Sequence, residues 1–166
     1  MNLAAENLLK KFSLFLNYVR PFVDITHIWH DTAALRAWRA ENKLYAPEQR
    51  YGHTVDVDGS QRYDLLFPET PPQEGDRVLG KHFMSPFLKT DLEKYIPQKD
   101  SLGMVLSTKR QDCVFAALYD GLKHGYNMVA ISDLIYPGGP LHEKLKDVPE
   151  LTSIEILTAL GLEQPS

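Results

Sequence analysis

A chain of 166 residues with 43% hydrophobic content is long enough for one domain, 1–166, with a proper core, and too short for two comfortable ones. A net charge of -4 without clustered Lys and Arg argues against a nucleic-acid partner, and no apolar run approaches the ~18 residues of a membrane span. Glu6, Lys10 and Lys11 interrupt the N-terminal leucines, which does not read as a secretory signal, and the one cysteine, Cys113, cannot form an internal disulfide, so a cytoplasmic setting is expected.

From Leu3 to Arg20 the residues Leu8, Phe12, Phe15, Leu16 and Val19 recur at helical spacing, and Pro21 ends the pattern. Phe22 to Trp29 is predicted as a strand, because Val23, Ile25 and Ile28 are β-branched and the segment is short. His27, His30 and Asp31 are metal-ligand types, but a strand sends His27 and His30 to opposite faces, so no metal and no other cofactor is expected. Residues 32–76 are irregular. They hold one helical pattern at Ala33 to Asn42, a hairpin pattern on either side of Asp58-Gly59 and a Pro71-Pro72 turn. Long excursions of this kind serve as lids, specificity loops or partner surfaces.

Arg77 to Gly80 is predicted as a short strand with Lys81 at its carboxyl end, followed by a helix from Thr90 to Ile96 with Thr90 as N-cap and Glu93 completing a capping box. The apolar run from Leu102 to Ser107 and Thr108 reads as a buried strand, Val114 to Lys123 as a helix, and Gly125 as its stop. Asn127 to Ile131 is a second strand, ending at Asp133, a cap or loop anchor. This makes a βαβ unit with parallel strands. A short helix at Leu141 to Lys146, an extended piece at Val148 to Leu151 and a final helix capped by Thr152 and Glu155 complete the chain. Helix and strand alternate, so the expected fold is α/β: a mostly parallel, Rossmann-like sheet with helices on both faces.

Cys113 lies at the strand-to-helix turn of that unit. Ligands of such sheets bind outside the carboxyl ends of the strands, and a helix N-terminus offers unpaired N–H groups to an anion or a developing oxyanion. A lone cysteine is also a common small core residue, and a lysine such as Lys81 is ordinarily solvated. Spacing alone leaves both readings open.

The run PPQEGDRVLGKHFMSPFLKTDL, followed some twenty residues later by STKRQDCVFAALYDGLKHGYNMVAISD, resembles the isochorismatase-like cysteine hydrolases. The shared pattern is Gly-Asp, a strand, Lys, Ser-x-Phe and Thr-x-Leu, then a strand, a Cys-Val pair opening a helix, Gly-Tyr, and a strand ending in Asp. It covers Pro72 to Leu160, and LTSIEILTAL is similar to the family's terminal segment. The resemblance implies a three-layer αβα fold and an Asp, Lys and Cys triad whose thiolate attacks an amide or carbamoyl carbonyl of a small molecule. Cys113 matches the nucleophile and Lys81 the lysine. The resemblance also implies a cis peptide before the nucleophile turn, here Thr108-Lys109, exposing N–H groups with Cys113 as an oxyanion hole. Phe83, Phe87 and Arg110 are the expected substrate contacts, and a homo-oligomer is expected because family members often assemble.

The departures are specific. The family aspartate ends a strand that precedes the first helix; this chain opens on the helix and no residue matches that aspartate, so an N-terminally shortened fold with impaired proton transfer is expected. Ser107 stands where the family has glycine, and the Asp-x-His metal signature of nicotinamidase-type members is absent. Members acting on isochorismate tend to lack the cysteine, so Cys113 favours C–N hydrolysis. The competing expectation is a non-catalytic binding or assembly module that keeps the fold.

Overall fold

The computed structural model describes residues 3–30, 70–81, 83–96, 102–107, 113–135 and 140–162. The helix expected at Ala33 to Asn42 and the hairpin around Asp58-Gly59 lie outside them. In order, the elements are α1 (Leu3–Val19), β1 (Thr26–His30), β2 (Arg77–Lys81), α2 (Leu92–Tyr95), β3 (Leu102–Ser107), α3 (Phe115–Lys123), β4 (Asn127–Ile135), a 3₁₀ turn (Glu143–Leu145), β5 (Glu150–Leu151) and α4 (Ser153–Ala159). Every strand pairing is parallel: β1 with β2, and β3 with β4 with β5. No helix among the described residues is long and apolar enough to cross a membrane.

Two hydrophobic layers flank the strands. On one face Leu79, Met128, Ala130 and Ile135 pack with Val114 and Leu118 at α3, Leu92 of α2 and Leu145 of the 3₁₀ turn. On the other, Ile131 and Leu134 pack with Leu8, Phe12, Phe15, Leu16 and Val19 of α1 and Ile156 and Leu157 of α4. This is a three-layer α/β arrangement, with the helical stripe of α1 turned inward as its spacing predicts. The central β4 is apolar nearly throughout because it is covered on both faces.

Local chemistry explains the element ends. Gly125, at φ +85°, ends α3 in a Schellman motif: its N–H donates to the Leu122 carbonyl and the Tyr126 N–H to the Gly121 carbonyl. Gly161 ends α4 the same way, with its N–H on the Thr158 carbonyl and the Leu162 N–H on the Leu157 carbonyl. At the start of α4 the expected capping box is present, Thr152 Oγ1 accepting from the Glu155 N–H while Glu155 accepts from the Thr152 N–H. Close packing of α3 on the sheet rests on missing side chains. A Cβ built at Gly121 or Gly103 would lie 2.5 or 2.7 Å from Met128 Sδ.

Four expectations are corrected. The first strand begins at Thr26, not Phe22, because the Phe22 and Val23 N–H groups bond back to the Val19 carbonyl and prolong the helical turn, leaving Phe22 exposed. The helix expected from Thr90 is only Leu92–Tyr95, with no side-chain cap bond at Asp91. Thr90 Oγ1 accepts from the Leu92 N–H and donates to the Pro86 carbonyl, and Glu93 reaches His124 at 2.9 Å, so the capping box is not made. The helix expected at Leu141 to Lys146 is a 3₁₀ turn, and its last bonds, Lys146 to Glu143 and Val148 to Leu145, fold the chain so that Val148 is buried. Finally β4 continues past Asp133 to Ile135. Its ladder with β3 is regular to Ala130 and then slips, so that Ser107 pairs with Ile135. Asp133 sits in that irregular stretch and accepts from both the N–H and the Oγ of Ser153, each at 2.7 Å, anchoring the start of α4.

The amino edge of the β1–β2 pair holds a buried ionic cluster. Asp76, just before β2, accepts from Arg20 Nε and Nη2 at 3.1 and 3.0 Å, meets His27 Nε2 at 2.9 Å, and accepts from the Gln73 N–H at 3.1 Å. Burial pushes the carboxyl up, but the hydrogen bonds from Arg20, Gln73 and His27, with the Arg20 charge, outweigh it and hold Asp76 at about 2. His27, considered above as a metal ligand, is thus buried against this carboxylate.

Candidate active site

Lys81 is delivered by the alternation of β2. Leu79 and Lys81 are two apart, so they face the same side, and both are buried. Leu79 packs in the layer that holds Val114 and Leu118 at α3, so Lys81 points toward the α3 face, one step nearer the carboxyl edge. Its ammonium donates to the Met84 carbonyl in the loop after the strand.

Cys113 is the first described residue of the helical segment between β3 and β4. It forms with Val114 a wide π-type turn leading into α3, and it is half-buried while Val114 is fully buried. The helix is pinned on the sheet by Val114 and Leu118, both fully buried. Val23, just before β1, and Leu102, the first residue of β3, line one cavity. Lys81, at the carboxyl end of β2, and Cys113, between β3 and α3, thus both adjoin the α3 layer, the one through Leu79 and the other through Val114. An ammonium and a thiol at a helix start suit nucleophilic attack on a carbonyl, with N–H groups available for the developing oxyanion.

The other expected site residues separate. Phe83 is half-buried, with Lys89 Nζ 5.9 Å from its ring centroid, in the loop that follows Lys81. Phe87 is a core residue stacked on His124 at 5.3 Å and Tyr126 at 5.7 Å, ring centroid to centroid. Those partners flank the far end of α3, roughly 15 Å along the helix from Cys113. Phe87 therefore packs away from the cysteine. Thr108, Lys109 and Arg110, like Asp31, lie outside the described residues. Asp133 is committed to α4.

One residue near the cysteine escaped the sequence reading. The His142 ring lies 4.8 Å from that of Phe115, two residues after Cys113, and its Nδ1 accepts from the Lys144 N–H. The neutral ring then carries its proton on Nε2. The available signal was its place in the loop after β4, at the same edge.

Residues 22–138 match the family model described as the isochorismatase domain. The match begins ahead of Pro72, taking in β1, and stops before α4. An isochorismatase-like hydrolase from Alkaliphilus metalliredigens is similar with a TM-score of 0.65 at 17% identity, covering 95% of this chain and 86% of that one. A cysteine hydrolase from Pseudomonas syringae pv. phaseolicola gives 0.63 at 17%, covering 96% and 82%. N-carbamoylsarcosine amidase from Thermoplasma acidophilum gives 0.57 at 19%, covering 92% and 86%. No curated protein matches by sequence. The family match spans most of the chain and the likeness in fold nearly all of it, and on that footing the chain belongs to the isochorismatase family.

Proposed function

We propose that this protein is a cysteine-dependent hydrolase of a small amide or carbamoyl compound, cleaving a C–N bond. The observation that carries the reading is the half-buried Cys113 ahead of α3, on the sheet face toward which the buried Lys81 points. The thiolate adds to the carbonyl carbon, the C–N bond breaks as the amine leaves with a proton, and water then cleaves the thioester to return the thiol and release the acid. The Lys81 charge supports the thiolate and the first-turn N–H groups support the oxyanion. A fold shared with a cysteine hydrolase and an N-carbamoylsarcosine amidase is in keeping with this chemistry. Phe83 and Arg110 are the side chains assigned to the substrate in this reading, and Thr108 and Lys109 are assigned with Cys113 to the oxyanion hole.

Alkylation tests the reading without a known substrate. Iodoacetamide at pH 6 to 7 modifies Cys113 faster than a free thiol such as glutathione, and Lys81→Ala slows the reaction about tenfold. A wild-type rate equal to the free thiol's removes the activated nucleophile and leaves the non-catalytic binding module. An unchanged rate in Lys81→Ala removes the pair.

A further inference from the structure

Residues 83–92, which follow Lys81, are held by contacts more than by secondary structure. The Lys81 ammonium donates to the Met84 carbonyl near the start of the segment. Directly after it Ser85, Pro86 and Phe87 are all buried, whereas Met84 and Leu88 on either side of them are exposed. Ser85 Oγ accepts from the Phe87 N–H at 3.2 Å. Thr90 Oγ1 donates to the Pro86 carbonyl and accepts from the Leu92 N–H, so the chain turns back on itself. Lys89 makes that return at φ +54°, the one positive φ at a residue other than glycine among the described residues. A lysine stays in the left-handed region only where its surroundings hold it there.

The segment is locked at its middle. The Phe87 ring stacks on His124 and Tyr126, the residues on either side of the Gly125 stop, at interplanar angles of 18° and 27°. His124 is itself fixed, its N–H on the Asp120 carbonyl and its Nδ1 2.9 Å from Glu93 Oε1 in α2. Phe87 therefore ties the segment to the trailing end of α3. Only buried Ser85 and Pro86, the latter with φ set by its ring, separate this anchor from the residue whose carbonyl meets Lys81.

We propose that Phe87 is a positioning residue for the reaction: docked on His124 and Tyr126, it fixes the Met84 carbonyl and through it the direction of the Lys81 ammonium. The role rests on the assignment of Cys113 and Lys81 made above. Phe87 packs away from the thiol and acts through one backbone hydrogen bond. Such an anchor matters because a lysine ammonium rides on a stem with many rotamers, and its support of an anion falls with distance. A small displacement of the carbonyl therefore weakens the charge felt at the thiolate.

A double-mutant cycle on the full chain tests this, read by the rate at which iodoacetamide modifies Cys113 at pH 6 to 7, with urea midpoints measured on each preparation. Phe87→Leu keeps an apolar side chain and loses the stacking. It slows alkylation about threefold, against about tenfold for Lys81→Ala, and displaces the rate–pH profile upward as Lys81→Ala does. Phe87→Leu/Lys81→Ala reacts no slower than Lys81→Ala, because the lysine through which Phe87 acts is gone. Should Phe87→Leu not fold, His124→Ala carries the test from a partly exposed position, with a smaller slowing that also vanishes without Lys81. Thr152→Ala, weakened in α4, keeps the wild-type rate and so separates loss of stability from loss of position. A wild-type rate in the folded variants overturns the role, as does equal slowing with and without Lys81. A wild-type rate in Lys81→Ala alone is a different failure: it removes the Lys81–Cys113 pair, and the role of Phe87 with it.

Discussion

The two edges of the β1–β2 pair use buried charge in opposite ways. At the amino edge Asp76 is surrounded by donors, Arg20 twice, His27 and the Gln73 N–H, and its charge is spent on holding α1, β1 and β2 together. At the carboxyl end of β2 the Lys81 ammonium is also buried; it donates to the Met84 carbonyl and lies on the sheet face covered by α3, the helix that the half-buried Cys113 precedes. The donors around Asp76 make that charge architecture; in the proposed reaction the Lys81 charge supports the Cys113 thiolate instead. Burial alone does not separate the two cases.

Substitutions can break this contrast from either side. The largest effect is expected at Cys113: Cys113→Ala lowers hydrolysis of a small amide or carbamoyl substrate by at least about 10³-fold with little change in urea midpoint, as steady-state assay and denaturation on one preparation will show. Asp76→Ala should do the reverse, costing about 3 to 5 kcal/mol in urea unfolding by leaving Arg20 and His27 beside an emptied site. Retention of the wild-type midpoint would remove the structural role given to that cluster.

Acid sharpens the same contrast. Asp76 is depressed to about 2 in the folded chain, so its contribution is fully present above the ordinary carboxylate pKa and is lost as pH falls from about 4 through 2. Wild type should lose about 2 kcal/mol over that window beyond what Asp76→Asn loses, measured by chemical denaturation at stepped pH. The smallest effect belongs to α4. Thr152→Ala removes one half of the capping box and should cost about 1 kcal/mol without altering alkylation of Cys113.

Elements with a local cause were legible in the sequence. The α1 stripe, the Gly125 stop, the Thr152 box and the β3–α3–β4 unit all follow from spacing or from one residue's stereochemistry, and the structure has each of them. What failed was decided by competition between distant groups. Thr90 and Glu93 fit a capping box, but Pro86 and His124 take their side chains, and nothing within a window of four residues announces either partner. Asp133 looked like a strand end because its anchoring partner, Ser153, is twenty residues away, and the strand slips around it instead of stopping. The site divides along the same line. Lys81 sits at a strand end and Cys113 just ahead of α3, both located by periodicity, whereas the ring of Phe87, expected to meet substrate, goes to His124 and Tyr126.

The thioether of Met128 closes against two glycines, one on β3 and one on α3. That sulphur fills the space a side chain at either glycine would need, so α3 and β3 are both fitted to one flexible thioether. Gly121→Ala requires Met128 to give way, and shortening it in Gly121→Ala/Met128→Val makes the room. The spacing of the helix that follows Cys113 is thus set from the strand beneath it.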